Sequence, residues 1–363
     1  MAFGDYPADY NPKVHGPYDP ARFYGKPDTP FGQVKVGEIS AWLGRRNKGP
    51  AAITGAISRE SLEDISDITL PEGKKIFFHE TSCNSDQTGK ITINAVQACS
   101  VESAAKLNPD RAVYLLYLSS GVIKNEGSEP DRLLEALLSY NNVKIYHVDV
   151  MKYVRDTPAE VLFLKERVQR SEYQVSHASD VMRYLTLWKY GGVYLDLDVI
   201  VLKSFDELDE NFSGAQLPTE IAAGVMGFGN SEIGKKYATD CLSDLVDNFD
   251  GFIWGANGPD VITRFASKLC NTEKGFDVTK TCENFTVYGP EIFYPIPYYW
   301  WYYYFDGVHK KAGQNMIKNA HVLHVWKSMN TEYKQFRTED SSIYTDYAKL
   351  FCPNVFEQLD EYI

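Results

Sequence analysis

The chain has 363 residues, enough for a sizeable core and for two compact regions. Its hydrophobic share of 44% and charged share of 24% are ordinary for a globular protein, and its net charge of -12 argues against a nucleic-acid partner, because phosphate binding needs a basic surface. The sequence has no apolar run of about 18 residues, so no transmembrane segment is predicted, and no signal-peptide core is visible at the N-terminus.

The first 59 residues differ in composition from the rest. They hold seven of the 17 prolines and eight of the 26 glycines, and their eight Lys and Arg against five Asp and Glu give +3, which leaves -15 for the remainder. This pattern predicts an extended arm over residues 1–59, with a short helix around Val36 to Leu43. A linker, acidic up to Thr69, is expected over residues 60–71.

The arm closely resembles the N-terminal part of the mitochondrial ATP synthase subunit f family, from MAFGDYPADYNPKVHGPYDPARFYG to about Arg59. The aromatic-basic stretch and membrane helix that should follow in that family do not follow here. We therefore interpret the sequence as a fusion of two unrelated segments, either a true chimera or a join in the gene model. The second segment is expected to begin near Pro71.

From Lys74 onward, apolar periodicity predicts an α/β fold. In chain order, the expected elements are a strand at Lys75–Phe78, a helix at Ile93–Leu107, a strand at Val113–Leu118, a helix at Arg132–Ser139 and a strand at Val143–Val148. This alternation predicts a mainly parallel mixed sheet covered by helices, with a ligand at the carboxyl ends of the strands.

A further helix over residues 181–188 should end at the glycine pair Gly191-Gly192, before an apolar strand that carries Asp196 and Asp198. In a strand, side chains two apart lie on the same side, so both carboxylates would converge on one cation while Leu197 turns into the core. Such a cation would let an acidic protein bind a phosphorylated substrate.

The six cysteines contain no CxxC pair, which argues against a zinc module. Their even number fits three disulfides, and Cys270 and Cys282 are the best candidates for a local bridge. The sequons at Asn211 and Asn284 would accept sugars if the chain enters the secretory pathway.

Motifs across residues 72–353 resemble the alpha-1,4-glycosyltransferase family. They are IFFHETS, ACSVESAAK, LSYNNVKIYHVDV, SDVMRYLTLWKYGGVYLDLDVIVLKS, GFIWGANGPDVITRF, PEIFYPIPYYW and HVLHVWKS. The resemblance implies a GT-A-like domain that moves a sugar from a UDP-sugar to a galactose-type acceptor, with retention and a manganese requirement. It favours N-acetylgalactosamine or galactose as the sugar, a glycolipid or glycan acceptor, membrane proximity through that acceptor, and the Golgi membrane or lumen. Residues 72–210 would bind the nucleotide sugar, and residues 211–363 would bind the acceptor and complete the metal site.

The same resemblance assigns the metal ligands. Asp198 would bind the cation. Asp196 would join it as a ligand or, as the resemblance favours, face the ribose or a metal-bound water, and both acids are predicted to be catalytic. His324 would be the third ligand, and an imidazole beside carboxylates suits Mn²⁺ better than Mg²⁺, which remains an alternative.

Further groups of residues are assigned to the substrates. Asp180 and Arg183, on one helical face, would form a local ion pair or reach into the nucleotide site. Phe78, His79 and Thr81 fall where a uridine would lie, although Phe78 fits the core equally well. The turn-rich segment with Trp254, Asn257, Gly258 and Pro259 is expected to contact the acceptor or the transferred sugar. The aromatic block Tyr298–Tyr304 would stack on the acceptor, lie at a membrane interface or belong to the core.

Two other functions stay open at this point. Asp-x-Asp after an apolar strand also resembles the first motif of haloacid-dehalogenase-type phosphatases, although the later lysine and acid pair of that class are not found in convincing positions. Alternatively, residues 1–59 would make the protein an ATP synthase-associated component at the mitochondrial inner membrane.

Overall fold

The structure of the protein is a computed structural model that describes residues 61–82, 84–272, 279–329 and 341–361. The predicted arm, its helix around Val36 to Leu43 and Cys83 lie outside these ranges. None of the helices within them is long and apolar enough to cross a membrane.

The described residues form ten strands and twelve α-helices, numbered here in chain order. The strands are β1 (Lys75–Glu80), β2 (Ala112–Tyr117), β3 (Val143–His147), β4 (Gly192–Leu195), β5 (Val199–Val201), β6 (Phe212–Leu217), β7 (Glu220–Phe228), β8 (Thr281–Cys282), β9 (Phe285–Tyr288) and β10 (Val322–His324). The helices are α1 (Asn84–Thr88), α2 (Ala95–Leu107), α3 (Glu129–Leu138), α4 (Val150–Tyr153), α5 (Glu160–Leu164), α6 (Gln174–Tyr190), α7 (Glu232–Asn248), α8 (Pro259–Leu269), α9 (Pro290–Phe293), α10 (Lys310–Met316), α11 (Ile343–Phe351) and α12 (Pro353–Phe356). Short 3₁₀ helices lie at Ile65–Asp67, Phe205–Glu207, Tyr298–Tyr304, Ile317–Asn319 and Lys327–Met329.

Eight strands form one mixed sheet in the order β3-β2-β1-β4-β7-β6-β9-β8, and β5 pairs with β10 in a small second sheet. The first four strands of that order are parallel, whereas β7 runs antiparallel to β4 and β6. After β3, the chain crosses to the other side of β1 and enters β4. This reversal creates a switch point between β1 and β4, where α/β proteins bind their ligands at the carboxyl ends of strands.

The predicted α/β class with a mainly parallel mixed sheet is confirmed, and every element predicted between residues 75 and 190 is present, although the helix expected over residues 181–188 begins seven residues earlier, at Gln174. The helix expected from Arg132 begins earlier, at Glu129, because Ser128 and Asp131 form a capping box and Pro130 lies in the first turn. Gly191 and Gly192 both adopt positive φ angles, as expected for the residues that end helix α6.

The prediction that Asp196 and Asp198 lie on a strand is wrong. Strand β4 ends at Leu195 and β5 begins at Val199, and the two strands belong to different sheets. The Asp196 N–H donates to the Gly224 carbonyl on β7, whereas the Asp198 carbonyl accepts from the Val325 N–H after β10. The acids therefore lie in the turn where the chain leaves one sheet for the other.

The described part of the predicted linker packs on the folded domain. Ile65 is fully buried. Asp64 forms a parallel β-bridge with His147, the last residue of β3. The Asp64 carboxylate also accepts hydrogen bonds from the N–H groups of Ser66 and Asp149. Residues 61–68 are thus part of the domain rather than a free connection, because an apolar side chain there reaches the core.

The cysteines and sequons are only partly as expected. The bridge Cys270–Cys282 is confirmed, and a second bridge joins Cys99 to Cys352, but Cys241 is a buried free thiol, so the described residues do not hold three disulfides. Asn211 is 3% exposed and its amide bonds the backbone of Gly229 and Asn284, which makes it unsuited to glycosylation. Asn284, in contrast, is exposed.

Candidate active site

A cleft of about 350 Å³ lies at the carboxyl ends of β1 and β4 and is lined by residues of both strands' ends. It collects side chains that are far apart in sequence, among them Thr81, Arg183, Asp198, Trp254 and His324. The position agrees with the sheet edge at which the strand pattern predicted a ligand.

The cleft brings both acids together with His324. The His324 Nε2 atom lies 3.4 Å from Asp196 Oδ2 and 3.1 Å from Asp198 Oδ1, and one ligand atom from each of the three residues lies within 4.8 Å of the other two. His324 ends strand β10 and pairs with Val199 of β5, which places its imidazole beside the turn with the acids. Antiparallel pairing thus joins residues that are 128 positions apart.

This cluster fits a divalent cation. Two carboxylates and an imidazole are a donor set that Mn²⁺ accepts readily. Gly224 of β7 faces the cluster, and a Cβ atom there would come within 2.6 Å of Asp196 Oδ2 and 3.1 Å of His324 Nε2. The glycine therefore leaves a cradle beside the ligand atoms that any side chain would fill.

The charges of the cluster support one another. Burial favours a raised pKa at Asp196, but the charges of Arg183 and His324 outweigh it and lower that pKa to about 2. Burial raises the pKa of Asp198, with His324 opposing it. At His324, burial is outweighed by the two carboxylates, Asp198 first, and the pKa of the imidazole rises. A cation bound by the two carboxylates and the imidazole would therefore compete with a proton on His324.

Arg183 of α6 connects the acids to the helix. Its guanidinium lies 3.3 Å from Asp180 Oδ1 and 3.3 Å from Asp196 Oδ1, donates to the Ala223 carbonyl at 3.0 Å, and stacks 4.8 Å from the centre of the Tyr194 ring. Asp180 and Arg183 are both buried and both line the cleft. The sequence left two alternatives for Asp180 and Arg183, a local ion pair or a position in a binding site. In the structure they form the ion pair and also line the cleft.

The end of β1 contributes one residue that the sequence analysis missed. His79 and Thr81 line the cleft, as does Glu80, which was not predicted, whereas Phe78 is fully buried in the core and does not line it. Burial lowers the pKa of His79 to about 3, so its ring is neutral, and burial raises the pKa of Glu80 to about 7. The position of Phe78 corresponds to the core alternative, because its side chain points to the covered face of the sheet.

The segment expected to contact sugars divides into two parts. Trp254 and Pro259 line the cleft. The Asn257 side chain does not, because it is fully buried and its amide bonds the N–H and carbonyl of Asp250 at 2.9 and 2.6 Å. The expectation that Asn257 bonds sugar hydroxyls is therefore corrected to a structural role.

Gly258 is likewise a packing position. Its carbonyl accepts from the Tyr184 hydroxyl at 2.8 Å, and a Cβ atom there would lie 2.5 Å from Asp180 Oδ1. Any side chain at Gly258 would displace Asp180, so this glycine brings α6 and α8 close together.

Two aromatic residues support the acids without having been predicted to do so. The Tyr194 hydroxyl donates to Asp196 Oδ1 at 2.8 Å, and the spacing of two residues from β4 into the turn after it was the signal that could have revealed it. Trp326 adopts a positive φ of 55°, and its indole N–H donates to the Ile296 carbonyl. The backbone after Trp326 then places the Lys327 N–H 2.9 Å from Asp198 Oδ2.

The aromatic block is divided between the core and the cleft. Tyr298 and Tyr304 are buried, whereas the five residues between them are partly exposed. Tyr298 also lines the cleft, beside Trp326 and Met329.

Comparisons with known proteins match most of the described residues to glycosyltransferases. Residues 94–213 match the glycosyltransferase sugar-binding region containing the DXD motif, and residues 230–359 match the alpha-1,4-glycosyltransferase conserved region. The lactosylceramide 4-alpha-galactosyltransferase of Gorilla gorilla gorilla is 31% identical over 296 residues, which cover 81% of this chain and 86% of that protein. In the solved structures, the PaToxG glycosyltransferase aligns with a TM-score of 0.36 at 19% identity, covering 66% of this chain and 75% of the other.

The N-terminal segment matches a different protein. Residues 2–68 match the model of mitochondrial F1F0-ATP synthase subunit f. The putative mitochondrial ATP synthase subunit f of Drosophila melanogaster is 83% identical over 59 residues, which cover 16% of this chain and 55% of that protein. The predicted resemblance of the arm to that family is confirmed, and the matched segment spans about half of the relative.

Proposed function

Because the chain belongs to the alpha-1,4-glycosyltransferase family, we propose that this glycosyltransferase moves galactose or N-acetylgalactosamine from a UDP-sugar to a galactose-type glycolipid in alpha-1,4 linkage, with retention. The observation that carries the proposal is the cluster of Asp196, Asp198 and His324 in a cleft at the switch point of the sheet. A nucleotide pyrophosphate at that place needs a cation between itself and the acids.

In this proposal, Asp198, Asp196 and His324 hold a divalent cation, favoured to be Mn²⁺. When bound, the ion neutralises the charge that develops on the departing UDP. The Arg183 guanidinium fixes Asp196 from the side away from His324, and the Lys327 N–H fixes Asp198, so both carboxylates keep their orientation. In this proposal, residues 72–210 supply the acids and bind the nucleotide sugar, and residues 211–363 supply His324 and bind the acceptor.

The substrates then occupy the two ends of the cleft. We place the uridine beside His79 and Thr81 at the end of β1, and the sugars beside Trp254 and Pro259. Asp180, which pairs with Arg183 and lines the cleft, would bond the hydroxyls of the donor sugar. Tyr298 supplies an aromatic face on which an acceptor sugar would stack.

A panel of UDP-sugars with lactosylceramide-type acceptors tests the proposal. We expect transfer from UDP-galactose or UDP-N-acetylgalactosamine, dependent on Mn²⁺ and abolished by a chelator, with an alpha-1,4 product identified by NMR. No transfer from any donor, combined with hydrolysis of a simple phosphate ester, would favour the phosphatase alternative, which none of the reported comparisons supports.

The localisation is tested separately. We propose that the catalytic part works at the Golgi membrane or in its lumen. Fractionation of cells that express the full chain should recover it with Golgi markers. Recovery with the mitochondrial inner membrane would instead indicate that residues 1–59 direct the protein there.

A further inference from the structure

The loop between α7 and α8 presents two large apolar side chains to solvent. Phe252 is 71% exposed and Ile253 is 57% exposed. Across the described ranges, they are the only two consecutive residues among the exposed large hydrophobic side chains. Single exposed apolar residues are common, whereas an adjacent pair at the tip of a loop indicates a contact surface.

The backbone of this loop is fixed. The Asn257 amide clamps Asp250 from both sides, the Asp250 carboxylate accepts from the Phe252 N–H at 2.7 Å, and the Gly251 carbonyl accepts from the Glu172 N–H at 2.9 Å. These bonds hold the tip from within the loop and from the segment before α6. The apolar side chains therefore point outward because the backbone directs them there.

Buried His177 of α6 adds a second anchor. Its Nδ1 atom lies 2.6 Å from the Ser171 hydroxyl, and its Nε2 atom lies 3.2 Å from the Trp254 carbonyl. Because burial lowers the pKa of His177 to about 4, the ring is neutral and serves as a fixed support. Trp254, the residue that follows the exposed pair, is thus held against α6.

The exposed pair is continuous with the cleft. Trp254 follows Ile253 directly and lines the cleft, together with Pro259 of the same segment and Val175 of α6. The exposed pair therefore lies next in the chain to a residue at the place proposed for the sugars.

We propose that Phe252 and Ile253 insert into the membrane that holds the acceptor. This inference rests on the proposed function, because a glycolipid keeps its hydrocarbon tails in the bilayer while its sugar enters the cleft. The cleft must then approach the bilayer to within the length of the acceptor's sugars. An aromatic and an aliphatic side chain on a fixed loop beside the cleft match the apolar layer below the headgroups, and the Asp250 carboxylate accepts a hydrogen bond from the backbone of the loop itself.

Vesicle binding tests the inference independently of transfer. The full chain is sedimented with phosphatidylcholine vesicles, with and without lactosylceramide, as wild type and as the double variant Phe252→Ser/Ile253→Ser. We expect the double variant to bind the vesicles about 10-fold more weakly, because it lacks the two apolar side chains whose transfer from water into the bilayer favours binding. The control variant is Leu138→Ser, which removes an exposed leucine at the end of α3. Leu138 lies shortly before β3 begins, whereas the cleft lies at the carboxyl ends of the strands, so this variant should bind vesicles as the wild type does.

Transfer to two acceptors separates a surface defect from a cleft defect. The double variant should transfer sugar to lactose as well as the wild type, but about 10-fold less well to lactosylceramide in vesicles. Equal vesicle binding by variant and wild type overturns the inference, as does an equal loss of transfer to both acceptors. If the double variant loses vesicle binding and the wild type transfers sugar to neither acceptor, the membrane contact stands and the proposed function is refuted.

Discussion

The two walls of the cleft are built in different ways. The charged wall consists of Arg183, Asp196, Asp198 and His324, and each of these side chains contacts at least one other member. The apolar wall consists of Trp254, Pro259 and Tyr298, which make separate contacts: the Trp254 carbonyl lies against His177, Pro259 begins α8, and the Tyr298 ring packs against Trp326. The charged side chains therefore hold one another in position, whereas each apolar residue is held by contacts of its own.

This difference predicts how substitutions act. A change in the charged wall should affect chemistry and stability together, because it leaves other buried charges without partners. A change in the apolar wall should affect either substrate binding or loop stability, depending on which side chain is removed.

Asp198→Ala should have the largest effect. Loss of the acid that accepts from the Lys327 N–H and faces His324 removes a proposed metal ligand, and we expect kcat/KM to fall by roughly 1,000-fold or more while the circular dichroism spectrum is retained. Asp240→Ala, which removes a surface acid paired with Lys236, is the control. Wild-type turnover in Asp198→Ala would refute the assignment of the charged wall.

Arg183→Met should destabilise the fold. Asp180 and Asp196 would lose the buried cation between them, and we expect the free energy of unfolding to fall by about 3 kcal/mol in urea denaturation. The matched control is Arg170→Met, because Arg170 is 76% exposed in its pair with Glu166 and should contribute less than about 1 kcal/mol. Equal losses in both variants would mean that Arg183 does not hold the two acids together.

His324→Gln should change the metal requirement more than the chemistry. The amide replaces a nitrogen ligand with a weaker donor, so the Mn²⁺ concentration that gives half-maximal activity should rise about 10- to 100-fold. Activity should return at high Mn²⁺. The control is His309→Gln, because His309 contacts Asp306 rather than Asp196 or Asp198. An unchanged metal titration would remove His324 from the ligand set.

A pair of variants in one loop tests the apolar wall. Asn257→Ala should lower the free energy of unfolding by about 1–2 kcal/mol, because it leaves backbone groups of Asp250 unpaired, with little change in the KM for acceptor. Trp254→Ala should raise that KM roughly tenfold with less effect on stability. The opposite result would return Asn257 to the sugar site.

Much of the fold and of the charged wall could be predicted because both depend on local pattern. The periodicity of α6 and the glycine pair after it located the acids correctly along the chain, and the motif around His324 supplied the third member. The run from Val193 to Leu202 reads as one continuous apolar strand, so sequence alone did not show that Asp196 and Asp198 lie where the chain changes sheets. That change depends on β5 pairing with β10, which is a contact between distant segments.

The apolar wall was harder to predict for the same reason. Asn257 is polar and lies in a glycine-rich turn, which suits a sugar contact, yet its partner is the backbone of Asp250, seven residues earlier. The role of Glu80 was missed because a strand-end acid carries no signal of its burial. Tyr194 could have been found, since it precedes Asp196 by two residues.

The pairing of β5 with β10 also sets the order in which the protein can be completed. Asp196 leaves the ribosome 128 residues before His324. Likewise, Cys99 cannot form its disulfide until Cys352, 253 residues later in the chain, has been synthesised. A nascent chain therefore carries both acids with no imidazole to join them through a long stretch of its synthesis. Translation that stops before His324 would yield a product with the sequence motif but without the third side chain of the cluster.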